Sequence, residues 1–384
     1  NCGFQVKPIL ETMSDYLVTA EHFHHLLLHE PSFLDVRSED EFAKGSMPNS
    51  FNFPILNNHE RHLVGTCYKQ EGKEAAVKLG HQLVQGGLQQ ERIQNWCDVV
   101  ARNPDTHIFC WRGGMRSNLA RQWMNEAGVA VPLIEGGYKA LRRYLMQVID
   151  DAAIHLPMIR IGGKTGVAKT LLINEIASSI DLEKHAMHRG SSFGHTVNQQ
   201  PTQSNFEHTL AIDLLRMTHA AASGRNMLFV EDESRNIGTI AIPEAFFQTM
   251  RRSPLALVEM PLEFRIQRVL QEYITDMLAA FQMKHSGNGF EHFSAYLNES
   301  LSRIQKRLGL ERFKYAHDLL AKALKTQANT GNIQEHEAWI TVLLTEYYDP
   351  MYAYQIERNK ESVIFRGSYT EVLEWARGLH VSAS

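Results

Sequence analysis

The segment Cys110-Trp111-Arg112-Gly113-Gly114-Met115-Arg116-Ser117 gathers a thiol, two glycines and two guanidinium groups within eight residues. Cys110 ends an apolar, strand-like stretch and opens a loop whose backbone N–H groups can converge on one anion. The thiolate would form the floor of such a cradle, and Arg116 would close the ring. Thiolate, not thiol, is the nucleophilic form, and nearby positive charge favours it. Cys110, Arg112 and Arg116, with Gly113 and Gly114 shaping the backbone, therefore form a candidate anion-binding, thiol-based reaction centre. The alternative for a lone cysteine is burial before a surface turn, and the glycine and arginine spacing argues against it.

A second cradle is legible at Gly163-Lys164-Thr165-Gly166-Val167-Ala168-Lys169-Thr170, which follows an apolar strand and opens a helix. That setting is what a phosphate-binding loop requires. The backbone around Gly163 and Gly166 and the helix N-terminus would hold phosphates, Lys169 would reach the terminal one, and Thr170 would ligate Mg2+. Ala168 stands where glycine is expected. A left-handed backbone there costs alanine about 1–2 kcal/mol, which favours diphosphate binding over nucleotide hydrolysis. Asp232, at the end of the strand Met227–Val230, is the acidic partner expected for the metal, with Glu231 and Glu233 beside it. In His188–Gly194 one histidine lacks a partner at ligand spacing, so Arg189 is read as a phosphate or RNA contact and no metal is placed there.

The elements that must carry these loops alternate. Strands are expected at Ser32–Arg37, Phe51–Pro54, Thr106–Cys110 and Val131–Ile134. Helical signals lie at Glu39–Lys44, Ser117–Ala127 and Tyr138–Ala153. Alternation of this kind implies a parallel sheet with helices on both faces. A domain over residues 14–145 is followed by a second over 146–384, an α/β phosphate-loop domain with strands at Pro157–Ile161, Met227–Val230, Leu255–Glu259 and Ser362–Phe365. From about 262 to 355 the spacing is almost wholly helical. At 384 residues with 43% hydrophobic and 21% charged residues, the composition is that of a globular protein. No apolar run reaches the roughly 20 residues needed to span a bilayer. The four cysteines, Cys2, Cys67, Cys97 and Cys110, show no CxxC pair, which fits a reduced, cytoplasmic setting.

A formal charge of −4 leaves any contact with a polyanion to a local patch. Between residues 302 and 325 seven basic residues face two acids. Of these, Arg303, Lys306, Arg307, Arg312 and Lys314 are proposed as a phosphate-backbone track. The polar stretch Asn57–Gly72 reads either as a solvated loop or as a substrate-facing insertion through Arg61, Tyr68 and Lys69.

The order Asp35-Val36-Arg37, Glu41-Phe42, Gly45-Ser46-Met47-Pro48, the Cys110 loop and Glu135-Gly136-Gly137 resembles the rhodanese domain, whose cysteine loop carries sulfur or selenium. The resemblance implies that Asp35 and Arg37 knit the fold rather than react. Five residues separate Cys110 from Arg116, one more than in typical sulfur carriers of that family. This is the spacing of cysteine-dependent phosphatases, whose wider cradle suits a tetrahedral phosphate. Joined to a phosphate-loop domain and carrying GTCYKQEG, RGGMRS, EGGYKALR, HRGSSFG, VEDESR and EYYDPMY, the chain resembles the tRNA 2-selenouridine synthase family from about residue 14 onward. That resemblance implies an enzyme acting on wobble 2-thiouridine in tRNA. It would first alkylate the sulfur with geranyl diphosphate and then exchange the geranylthio group for selenium from selenophosphate. Geranyl diphosphate and selenophosphate are the implied co-substrates, with tRNA and an enzyme supplying selenophosphate as partners and no membrane. The residues alone leave two other classes open, a Cys-x5-Arg phosphatase and an RNA-binding phosphate-loop NTPase.

Overall fold

A computed structural model of the chain describes residues 17–221 and 227–381, so Cys2 lies outside the described residues. The chain divides into two compact units, Asn1–Val148 with Thr202–Leu215, and Ile149–Pro201 with Arg216–Ser384.

The first unit is built on a parallel sheet of β1 (Leu17–Val18), β2 (Phe33–Asp35), β3 (Ser50–Asn52), β4 (His107–Phe109) and β5 (Leu133–Ile134), in the spatial order β1-β5-β4-β2-β3. Leu34 pairs with Ile108 and Ile108 with Leu133, and all three enter one core with Trp96, Trp123 and Met124. The central strands β2 and β4 are buried almost throughout, as expected of a parallel sheet covered on both faces, while the edge strands β1 and β3 are partly exposed. The helices are α1 (Phe23–Leu28), α2 (Glu39–Ala43), α3 (Asn58–Glu71), α4 (Lys73–Leu83), α5 (Gly87–Arg102), α6 (Met115–Glu126) and α7 (Gly137–His155).

Helix α3 corrects the loop expected at Asn57–Gly72. The Asn57 side chain accepts from Glu60 N at 2.9 Å, and the Glu60 carboxylate accepts from Asn57 N at 2.9 Å, a reciprocal cap at the N-terminus. Gly72, at φ 90°, ends the helix. Only Glu60 and Cys67 of α3 are buried, so the segment carries almost no apolar periodicity. Glu60 is held in turn by Arg92 of α5, at 2.7 and 2.9 Å.

The second unit holds the parallel sheet β12-β11-β6-β8-β7 and a β9–β10 hairpin. The strands are β6 (Met158–Gly163), β7 (Ser179–Ile180), β8 (Leu228–Glu231), β9 (Asn236–Ile237), β10 (Ile240–Ala241), β11 (Leu255–Val258) and β12 (Val363–Gly367). Its shorter helices are α8 (Lys169–Asn174), α9 (Leu182–Ala186) and α11 (Glu244–Arg252), and α10 (Gln203–Ala221) runs on from the first unit. The helical C-terminal region follows as α12 (Leu262–Leu270), α13 (Asp276–Lys284), α14 (Gly289–Leu308), α15 (Leu310–Thr330), α16 (His336–Leu343), α17 (Asp349–Arg358) and α18 (Tyr369–Val381). Two π-helical turns, Gln271–Thr275 and Leu344–Tyr348, interrupt this region. Among the described residues no helix is long and apolar enough to cross a membrane.

Candidate functional site

In the first unit Asp35 and Arg37 are fully buried and form one block beneath the loop. Arg37 Nε donates to both Asp35 oxygens at 2.9 Å and Nη2 donates to Gly45 O at 2.8 Å. The guanidinium also lies 3.9 Å from the Tyr138 ring centroid. Such a pair is costly to break and does not touch the sulfur.

Cys110 leaves β4 and is 2% exposed. A thiol open at the floor of the loop is therefore not what the structure holds. Ser117 Oγ donates to Cys110 Sγ at 3.1 Å and also to Gly114 O at 3.2 Å. Asn118 Nδ2 donates to Gly113 O and Gly114 O at 3.1 and 2.9 Å. The amides of residues 111–117 meet no acceptor among the described residues. They join a helix N-terminus, where such groups favour an anion. Gly113 sits at φ 63°, and a Cβ there would stand 2.8 Å from Gly136 N, so only glycine fits.

Arg116 lies within electrostatic range of Cys110, and its hydrogen bonds go to a carboxylate. Its Nη1 and Nη2 donate to the Glu41 carboxylate at 2.6 and 3.1 Å, and Arg61 Nε lies 3.0 Å from the same carboxylate. Burial would raise the Glu41 carboxyl, but Arg116 and Arg61 outweigh it and hold it at about 2. Arg112 is exposed on the loop. Cys67 and Cys97 are unsuited to thiolate chemistry, because burial, with Glu71 beside one and Asp98 beside the other, pushes both thiols up.

In the second unit the phosphate loop joins β6 to α8. Ala168 adopts φ 65°, ψ 37°, the left-handed conformation in which alanine is strained. Gly166, at φ 83°, has no room for a Cβ beside Arg265 O. Lys169 Nζ donates back to Gly163 O at 3.1 Å. Burial alone would depress the lysine, but Tyr352, Glu233, Glu183 and Glu231 around it raise it. Thr170 Oγ1 donates to Glu231 Oε1 at 3.0 Å and to Glu183 Oε2 at 3.2 Å. Asp232 pairs with buried Arg160 at 2.8 Å and with Arg251 at 3.3 Å, and it also lines the cavity over this loop. Glu231 and Glu183, rather than Asp232, are thus the carboxylates brought to Thr170. Burial and mutual repulsion raise Glu183 to about 8 and Glu233 to about 7, and push Glu231 up as well.

A cavity of about 360 Å³ opens over this loop. Its far wall comes from the two π turns, through Tyr273, Tyr347 and Tyr348, and from Met351 and Tyr352. Arg189 and Arg307, two of the expected RNA contacts, line it. Arg189 donates to Glu272 O at 2.6 Å and Arg303 donates to Ser192 O at 3.2 Å. Arg312 is paired with Glu346 at 2.7 Å, while Lys306 and Lys314 are exposed. The single basic track expected over residues 302–325 is thus split between α14 and α15, with Arg307 turned toward the phosphate loop. Arg61, Tyr68 and Lys69 line a cavity of the first unit together with Arg116.

A model of the tRNA 2-selenouridine synthase AAA domain matches residues 156–382, and a model of the rhodanese-like domain matches residues 19–143. The chain is 44% identical over 92% of its length to the tRNA 2-selenouridine synthase of Serratia proteamaculans (strain 568), covering 95% of that protein. The chain belongs to the tRNA 2-selenouridine synthase family. Other similar members are those of Shewanella woodyi (strain ATCC 51908 / MS32), 43% identical over 94% of this chain and 98% of that one, and Psychromonas ingrahamii (strain DSM 17664 / CCUG 51855 / 37), 44% identical over 92% and 95%. Membership makes this chain an enzyme with a rhodanese-like domain and a phosphate-loop domain. Within that frame Glu41, Ser117, Glu183 and Tyr273 are candidate site residues beyond those named from the sequence, whereas Tyr347 and Tyr348 fall within EYYDPMY. The serine directly after Arg116 was the one local signal.

Proposed function

We propose that this synthase converts wobble 2-thiouridine of tRNA to 2-selenouridine through an S-geranyl intermediate, with geranyl diphosphate and selenophosphate as co-substrates. In the first step the base sulfur attacks carbon 1 of geranyl diphosphate, the C–O bond breaks, diphosphate leaves and the base gives up its N3 proton. The loop Gly163–Thr170 and Lys169 would hold the diphosphate. Mg2+ fits here: Mg2+ is bound through one or two carboxylates plus substrate phosphates, and Glu231, Glu183 and Thr170 are poised for that. When bound it would neutralise charge on the leaving diphosphate.

In the second step the Cys110 thiolate attacks the phosphorus of selenophosphate, the P–Se bond breaks and hydrogenselenide leaves. Hydrogenselenide adds to C2 of the base, and geranylthiolate departs and takes up a proton. Water then cleaves the cysteinyl phosphate. Hydrogenselenide is a stable anion, so its departure needs no general acid. The loop amides, Arg112 and a released Arg116 would bind the phosphate oxygens. The observation that carries this reading is the run of unpaired amides at residues 111–117 around a hydrogen-bonded sulfur. Lys306, Lys314 and Lys69 would meet tRNA phosphates, and an enzyme that supplies selenophosphate would act upstream in the same cytoplasmic setting.

Nucleoside mass spectrometry of treated tRNA tests both steps. Cys110→Ser should stop selenium incorporation and leave S-geranyl-2-thiouridine, whereas Lys169→Ala should leave 2-thiouridine. Selenium incorporation by Cys110→Ser at the wild-type rate would refute the thiolate step. Hydrolysis of a simple aryl phosphate without RNA would favour the phosphatase reading.

A further inference from the structure

The first unit contains a cavity of about 850 Å³ to whose apolar interior the steps above assign no ligand, within the range of about 300–1,000 Å³ typical of small-molecule sites. It lies among α3, α4 and α6, and its buried or half-buried wall is apolar, formed by Ala76, Val77, Val84, Leu119 and Trp123. The charged members are the exposed or half-exposed Arg61, Lys69, Lys73 and Arg116. Arg116 is shared with the Cys110 loop, so the cavity adjoins the reacting sulfur's own loop.

Two glycines in helix interiors help to make this space. Gly65 in α3 and Gly80 in α4 both line it, and neither has a positive φ. A Cβ on Gly65 would meet nothing within 4 Å, and one on Gly80 would meet only Val64 Cγ2 at 3.8 Å. Neither backbone conformation nor crowding therefore requires glycine, which destabilises a helix interior relative to alanine. Exposed Gly65 leaves the mouth of the cavity free of a side chain, and half-buried Gly80 leaves room in its wall.

We propose that this cavity holds the isoprenoid chain on the sulfur of the S-geranyl base while the base is presented to Cys110. The assignment rests on the two-step reading above. The chemistry matches in two respects: a branched hydrocarbon of ten carbons suits the apolar wall, and the RNA phosphates that accompany it suit Arg61, Lys69 and Lys73. The diphosphate donor carries the same chain, but its head group belongs with Lys169. The cavity is therefore a subsite for the intermediate, not for the donor.

The test uses the full chain, an anticodon hairpin carrying S-geranyl-2-thiouridine, the same hairpin with 2-thiouridine, and geranyl diphosphate. The wild type should bind the geranylated hairpin at least tenfold more tightly than the thiolated one. Gly65→Leu and Gly80→Leu, which fill the cavity from separate helices, should abolish that preference. In turnover both should lower selenium incorporation at least tenfold while S-geranyl tRNA accumulates. Gly65→Ala, adding one methyl group to open space, should show a smaller effect in the same direction and guards against misfolding of the larger variants. Unchanged preference in both leucine variants overturns the assignment. Loss of geranylation instead, with tRNA left as 2-thiouridine, overturns it in favour of the donor. If the wild type modifies tRNA in neither step, the two-step reading fails, and the hairpin preference still decides the cavity.

Discussion

Replacing Glu41 by glutamine tests the carboxylate that restrains the reaction loop. Its side chain is 13% exposed and accepts from Arg116 and from Arg61. Lowering a carboxyl from 4.5 to about 2 stabilises the folded chain by at most about 3 kcal/mol. Glutamine keeps one acceptor for Arg116, so about 2 kcal/mol should be lost at pH 7. The sign follows from a folded-state value below the unfolded one: the stabilisation is present above about pH 4.5 and disappears as pH falls through about 2. The gap between wild type and Glu41→Gln should therefore be full at pH 7 and shrink steadily below pH 4.5. Urea unfolding of the first unit, followed by hydrogen exchange of the β2 and β4 amides, measures it. In the same variant Arg116 is free to turn to the sulfur, and iodoacetamide should alkylate Cys110 several-fold faster. A stability gap independent of pH, or slower alkylation, would refute the claim that Glu41 restrains Arg116.

Other substitutions separate the remaining roles. Ser117→Ala should slow alkylation of Cys110 about tenfold at pH 7, because a hydrogen bond to an ionised group contributes about 1.5 kcal/mol; an unchanged rate would remove Ser117 from the thiol's environment. Ala168→Gly relieves about 1–2 kcal/mol of left-handed strain and loses about 0.4–1 kcal/mol through the unfolded chain, so unfolding of the second unit should be harder by about 0.5–1 kcal/mol in urea. Asp232→Asn should destabilise by about 2–3 kcal/mol, less than the ~3–5 kcal/mol of a broken buried pair because asparagine still accepts from Arg160. Glu231→Gln should instead abolish the rise in melting temperature given by Mg2+ with inorganic diphosphate. The reverse pattern would restore Asp232 as the metal ligand.

The central strands are legible because burial on both faces writes continuous apolar runs, as at Leu255–Val258 and Leu228–Val230. Both loops were legible because glycine spacing constrains backbone locally. Helix α3 was hidden by the same logic reversed, since only Glu60 and Cys67 turn inward. Arg116 follows the thiol loop closely in sequence, but its hydrogen-bond partner Glu41 lies 75 residues away in the chain, a distance no local pattern spans. Asp232 was read as the metal's acid because it follows an apolar run. Side chains alternate along a strand, so the neighbouring Glu231 faces the other way and reaches Thr170, while Asp232 meets Arg160. A shift of one residue separates the carboxylate that reaches Thr170 from the one that lines the cavity over the loop.

The proposed order of steps gives the geranyl group a physical purpose. A 2-thiouridine and a 2-selenouridine differ by one atom, too little for a protein to hold an intermediate selectively between two reactions. A hydrocarbon chain supplies that selectivity: burying even half of ten carbons at about 0.8 kcal/mol each contributes about 4 kcal/mol, roughly a thousandfold in affinity. The chain is present only after the first step and is gone after the second. An apolar cavity beside the Cys110 loop would therefore retain the intermediate and release both the starting base and the product, and discrimination would fall with each carbon removed from the chain.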